Sequence, residues 1–304
     1  MLTGVTLRNM GPQSMPRTIA SCAALAEEAR LDSLWITDHI AIPPDDAEGS
    51  GGRYLDPLIT LAWIAGATER IKLGIGVLIL PYRSALPTAK QIATLQELAN
   101  ERLLLGVGIG WMDAEFRALG LNRHTRGKTS DDVLEFLNRC FAENAEAEDV
   151  GKAEDGGDAE DVGKAEDVGK AEDVGKAEDV VEANGQPFLF KPKPAKPPIY
   201  VGGSAPHALR RATRYGDGWL PMGLAPKRLA AEIETYRELT EAAGKPPGLV
   251  TLMRGLPLDE AAQASELLAE YEELGVERFV CGMGYDTADE FAVQIDKLDR
   301  IING

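Results

Sequence analysis

Asp38 and His39, in the run Thr37-Asp-His-Ile40, are the adjacent pair in this sequence best suited to moving a proton. An imidazole changes charge near neutral pH, and a carboxylate beside it steadies the cationic form. The same dipeptide would serve equally as a polar strand end with no chemistry. Two glycine-rich turns come next, Gly106-Val-Gly-Ile-Gly110 and Gly202-Gly203-Ser204-Ala205-Pro206. Glycine lets backbone N–H groups approach an anion, and a helix that follows adds its positive end, so two such turns suit a ligand bearing phosphate. The first lacks the acidic residue at the end of the next strand that a dinucleotide fold requires. Glu115 stands just beyond Gly110, placed either to hydrogen-bond a ligand or to complement the start of its helix. Trp111 and Trp219 fall at strand ends, where a flat ligand can stack, whereas Trp35 and Trp63 read as core. Arg210, Arg211 and Arg214 read as a solvated helix face. No HExxH, CxxC or G-x-S-x-G run occurs, so neither a metal centre nor a serine nucleophile is expected.

The elements that must hold these residues follow from hydrophobic period. Apolar runs of strand length are expected at 4–8, 33–37, 71–80, 103–107, 198–201, 218–221, 249–253 and 278–282. Helical spacing recurs at 14–30, 57–67, 87–100, 130–141, 206–215, 226–243, 259–274 and 287–302, with Asp56-Pro57 as a capped start. Eight strands in strict alternation with eight helices fit a (β/α)8 TIM barrel, and an open doubly wound sheet would share that alternation. In a barrel the site lies at the carboxyl ends of the strands, where Asp38, His39 and both glycine turns stand.

The chain has 304 residues, 44% of them hydrophobic, enough for one large core, and a single barrel domain over 1–304 is expected. Its net charge of −17 argues against nucleic acid, whose phosphates need a basic face. Much of that charge is local. Residues 146–180 hold 14 acids and 4 lysines in a hexapeptide array that ends in three copies of GKAEDV. Glycine every sixth residue and one valine per repeat predict a disordered acidic insertion before strand five, apart from the chemistry. Cys22, Cys140 and Cys281 lie far apart and suggest small core residues in a reducing cytoplasm. No signal peptide and no membrane-spanning run is expected.

The run from Leu73 to Gly120, LGIGVLILPYRSALPTAKQIATLQELANERLLLGVGIGWMDAEFRALG, closely resembles the luciferase-like monooxygenase superfamily. Its GVGIGWMDAEF segment is most similar to the coenzyme F420-dependent branch, and the TDHI, NGQPFLF, PPIYVGGSAP and RYGDGWLP runs extend the resemblance over most of the chain. The resemblance implies a (β/α)8 barrel that binds F420, or alternatively FMN, at the carboxyl ends of its strands. It further implies a non-prolyl cis peptide at Gly76-Val77 behind the middle ring, and His39 as the active-site histidine with Asp38 as its cofactor-contacting neighbour. Ile109-Gly110 and Gly203-Ser204-Ala205 match the loops that hold the ribityl-phosphate part. The implied activity is hydride transfer between the deazaflavin and a small organic substrate, with His39 donating or accepting the paired proton. A monooxygenase using reduced FMN and oxygen, or a non-catalytic flavin-binding barrel, are the alternatives. A homodimer is also implied. The sugar-phosphate-oxidising branch places a glutamate directly after the G-x-G-x-G run; Trp111 stands there in this chain, which counts against glucose 6-phosphate as substrate.

Overall fold

The computed structural model describes residues 1–142 and 179–303. Its main sheet closes on itself in the order β1 (Leu2–Thr6), β10 (Arg278–Cys281), β9 (Leu249–Arg254), β8 (Gly218–Leu220), β7 (Ile199–Gly202), β4 (Leu103–Gly108), β3 (Lys72–Ile79), β2 (Ser33–Ile36), and every pairing is parallel. Parallel neighbours need a crossover, and here helices supply it: α1 (Pro16–Glu28), α2 (Pro57–Ala65), α3 (Ala85–Leu98), α4 (Asp113–Ala118), α5 (Arg126–Phe141), α6 (His207–Tyr215), α7 (Pro226–Ala242), α8 (Ala261–Glu273) and α9 (Ala288–Asn303). The expected (β/α)8 barrel is the observed fold. Asp56 caps α2 as expected, its carboxylate accepting from Ile59 N at 3.0 Å.

Boundaries differ where pairing or proline geometry decides them. β1 begins at Leu2 rather than Gly4, because Leu2 N reaches Glu277 O at 2.9 Å and Leu2 pairs with Arg278. Helix α3 begins before Pro87, since a proline in the first turn lacks only an N–H that has no intrahelical acceptor. Most of the hexapeptide array, expected to be disordered, lies outside the described residues, but its end does not. Val180 opens β5 (Val180–Ala183) and pairs with Leu189 of β6 (Gln186–Leu189) in an antiparallel hairpin outside the barrel. Asn184 and Gly185 both have positive φ, the geometry that an Asn-Gly turn supplies between two strands.

Residues that alternate along each strand divide between two cores. Outward-facing residues such as Val5, Leu34, Leu73 and Leu105 pack under the helices. Inward-facing Trp35, Leu104, Tyr200, Leu220 and Val280 fill the barrel's lower interior. Trp35 occupies the space that glycine leaves at two neighbouring strands: a Cβ on Gly74 would stand 2.2 Å from its ring, and one on Gly4 would lie 3.2 Å from its Nε1. Beneath it Arg278, 1% exposed, donates to Asp32 at 2.6 Å and to Tyr200 OH at 3.0 Å. All three cysteines are buried, and burial pushes the thiols up, to about 11 for Cys22 and Cys140 and about 12 for Cys281. Trp63, read as core from the sequence, is 48% exposed on the outer face of α2 beside Ile59, because that helix turns its other side inward. No helix among the described residues is long and apolar enough to cross a membrane.

Candidate active site

A cavity of about 340 Å³ opens at the carboxyl ends of β2, β3, β4 and β7, within the size range of small-molecule sites. Its floor is made of missing side chains. Gly76, Gly108 and Gly202 all border it, and the Val77 side chain wedges among them. A Cβ on Gly108 would stand 2.4 Å from Val77 Cγ2, and one on Gly202 would stand 2.6 Å from Val77 Cγ1. The Gly76–Val77 peptide is cis and coincides with a register shift between Ile75 and Leu78 against β4. The glycines of the first turn therefore do a different job from the one expected. Gly106 and Gly108 lie inside β4, paired with its neighbours, and their spacing of two faces both into the barrel. Only Gly110, at φ 73°, makes the turn.

His39 borders the same cavity, and its orientation is fixed from behind. Its Nδ1 lies 2.8 Å from Glu115 Oε2. Glu115, 0% exposed, also accepts from Tyr82 OH at 3.0 Å through Oε2, and from the N–H groups of Ile40 and Ala41 at 2.7 and 2.9 Å through Oε1. Burial raises the Glu115 carboxyl, but the Ala41 N–H, His39 and the Ile40 N–H outweigh it and hold the group below its ordinary range. An ionised carboxylate only accepts, so Nδ1 carries the hydrogen and Nε2 is left as the proton-exchanging atom of the ring. Burial and the adjoining Glu115 charge drive the Tyr82 hydroxyl far above the usual phenol range, so it stays a donor. Tyr54 and Trp111 flank the imidazole edge-on, with ring centroids at 5.0 and 6.1 Å.

Asp38 is committed elsewhere. Its carboxylate takes both Arg83 nitrogens, at 2.6 and 2.9 Å, and the Ile79 N–H at 2.8 Å. Burial pushes this carboxyl up, and the Arg83 guanidinium pulls against it. Arg83 reaches on to Asp56 at 3.2 Å, so one guanidinium ties the β2 end, the β3 end and the α2 cap together. Asp38 thus positions the backbone that carries His39, with its side chain turned to Arg83 and fully buried.

The other sequence-flagged residues divide. Ile109, Gly110, Gly203 and Trp111 border the cavity, and Trp111 is 64% exposed. Ser204 and Ala205 lie past the rim, where Ser204 O accepts from Ala208 N as α6 begins. Glu115, expected either to hydrogen-bond a ligand or to complement the start of its helix, stands behind His39 and outside the cavity lining. Trp219 offers no stacking face: it is 0% exposed and faces outward, its Nε1 donating to Gly203 O at 2.9 Å. Arg211 pairs with Asp131 at 2.6 Å. Tyr54, Tyr82 and Arg83 went unflagged. Pro81-Tyr82-Arg83 directly follows β3, so the strand-end rule that marked Asp38 would have found the last two. Among the described residues, no group of three or more His, Cys, Asp or Glu side chains is gathered to hold a metal.

The model of the family described as luciferase-like monooxygenase matches residues 1–294. An uncharacterized protein of Mycobacterium tuberculosis is 30% identical over 241 residues, covering 73% of this chain and 71% of its own length. The F420-dependent glucose-6-phosphate dehydrogenase of Kineococcus radiotolerans is 31% identical over 262 residues, covering 84% and 68%. Among solved structures, an F420-dependent secondary alcohol dehydrogenase bound to an F420–acetone adduct superposes with a TM-score of 0.73 at 14% identity, over 100% of this chain and 99% of that one. A monooxygenase from Streptomyces bottropensis superposes at 0.71 and 16% identity, over 99% and 98%. At these identities the two structures speak for the fold alone.

Proposed function

The chain belongs to the luciferase-like monooxygenase family, and from that premise we propose that it is a coenzyme F420-dependent oxidoreductase acting on a small organic substrate. One observation carries the reading: His39 is the proton-exchanging side chain at a glycine-floored cavity, and a buried carboxylate fixes its tautomer. The relative named as an F420-dependent dehydrogenase supports the deazaflavin over FMN.

The residues present suit a flat ring. Gly76, Gly108 and Gly202 leave a shelf without side chains, Val77 backs it, and Ile109-Gly110 and Gly203 border it toward the rim. When bound, the deazaflavin supplies the hydride exchange. The protein's own part is orientation and proton management. Oxidation of an alcohol removes a hydride from carbon and a proton from oxygen; His39 Nε2 accepts that proton, and the Glu115 carboxylate stabilises the imidazolium through Nδ1–H. In the reducing direction Nε2 returns the proton to the carbonyl oxygen.

The reading is tested by titrating the apo-protein separately with F420 and with FMN, following fluorescence. Tight F420 binding supports it; absence of F420 binding overturns it, and FMN binding with substrate-dependent oxygen uptake would establish the flavin monooxygenase instead. The His39→Asn variant should keep F420 affinity while kcat falls by about 10²–10⁴.

A further inference from the structure

We propose that Arg8 binds a carboxylate on a substrate whose apolar body lies against Trp111 and Met222. This assignment rests on reading the cavity as a cofactor and substrate site.

Direction comes from strand alternation. On β1, Gly4 faces the Trp35 core of the barrel, while Val5 and Leu7 pack outward under the helices. Leu7 N still donates to Trp35 O at 2.8 Å, so the ladder continues past Thr6, and Arg8 follows Gly4 and Thr6 toward the barrel mouth. Its backbone is pinned there, Arg8 N donating to Tyr285 OH at 2.8 Å and Asn9 Nδ2 to Thr37 O and Leu55 O at 2.7 and 2.9 Å. The segment then runs beside Tyr54, which bridges Met10, and Tyr54 packs on His39.

Arg8 also has unmet demand. Its Nε is buried without a hydrogen-bond partner, and among the described residues its guanidinium makes no ion pair. Leaving a buried charged donor unmatched costs stability, so the position favours an incoming acceptor. Its charge is felt at the Tyr54 hydroxyl, which burial and Glu115 raise and Arg8 lowers. The guanidinium of Arg83 is spent on Asp38 and Asp56, and that of Arg53 on Ser14. One such fork takes a planar carboxylate through two parallel N–H···O bonds and neutralises its single charge, whereas it would leave a phosphate dianion half neutralised. Arg8 stands beyond the cavity lining, on which Trp111 is 64% and Met222 46% exposed, apolar surface that an aromatic or aliphatic body would cover. His39 links the two features, its ring edge-on to both Tyr54 and Trp111.

Benzoate and its neutral isostere benzamide probe the idea by calorimetric titration into apo and F420-loaded protein. Wild type should prefer benzoate by about tenfold or more, Arg8→Met should lose the preference, and Arg8→Lys should keep part of it. No preference in wild type, or an unchanged one in Arg8→Met, overturns the assignment. If Arg8→Met does not fold, Arg8→Gln takes its place and the same two outcomes decide. Failed F420 binding with an Arg8-dependent preference in the apo-protein would refute the cofactor reading and leave this one standing. Intact F420 binding without the preference refutes this one alone.

Discussion

Glu115 and His39 meet 2.8 Å apart with the carboxylate wholly out of water, although 76 residues separate them in the chain. The contact decides which imidazole nitrogen is free, and thereby which atom at the cavity can take up or release a proton.

Replacing Glu115 by Gln keeps the shape but offers one acceptor and one donor where four donors converge. The imidazole then loses its fixed tautomer. Activity should fall about 10- to 100-fold, the range found when the carboxylate that orients a metal-bound histidine is removed, while F420 affinity holds within about a factor of two. Steady-state rates beside a fluorescence titration check this; an equal loss of binding would show that Glu115 instead shapes the cavity.

The same carboxylate makes stability depend on pH. A group held below its ordinary value of 4.5 adds stability above that value and loses it as pH falls through the depressed folded one. The gap in unfolding free energy between wild type and Glu115→Gln should therefore be widest at neutral pH and narrow below about pH 4.5. Urea unfolding at pH 7, 5, 4 and 3 measures it, and a constant gap would remove Glu115 as the source.

Val77 and Gly108 should couple. Gly108→Ala drives a methyl to 2.4 Å from Val77 Cγ2, an overpacking expected to cost about 1–3 kcal/mol and to abolish cofactor binding. Val77→Ala removes the obstructing methyls, so the double variant should be less destabilised than the two single effects summed. Chemical denaturation of the four proteins closes the cycle; strict additivity would mean the floor has relaxed some other way.

Arg83→Met strands the buried Asp38 carboxylate. The expected cost is about 3–5 kcal/mol, and Asp38→Asn placed in the same chain should recover a large part of it. Thermal and urea unfolding of the single and double variants decide the point.

Barrel topology was legible because it depends on patterns that survive in one dimension: alternating apolar segments of strand and helix period, a proline after Asp56, a strand ending at Asp38. Asp38 and His39 could be marked as site residues because a strand's carboxyl end is a local property. The partners of those residues could not be read, since Glu115 and Arg83 reach them only once the barrel closes. Gly106 and Gly108 show the opposite hazard. Spacing of two suits an anion-binding turn and an inward-facing strand alike, and only the pairing of β4 with β3 and β7 separates them. Trp63 and Trp219 exchanged their expected places for a related reason, as each lies on an element whose facing side is set by its neighbours.

Trp35 fills the barrel below Gly74, so the described residues give the cavity a closed bottom. A cavity closed from below favours a queue, in which a ligand resting on the glycine shelf arrives before one that sits above it and departs after it. Compulsory order, with the deep ligand leading, is the expected consequence of one indole filling the space that two glycines leave, and a random-order product-inhibition pattern would show that the two ligands enter independently.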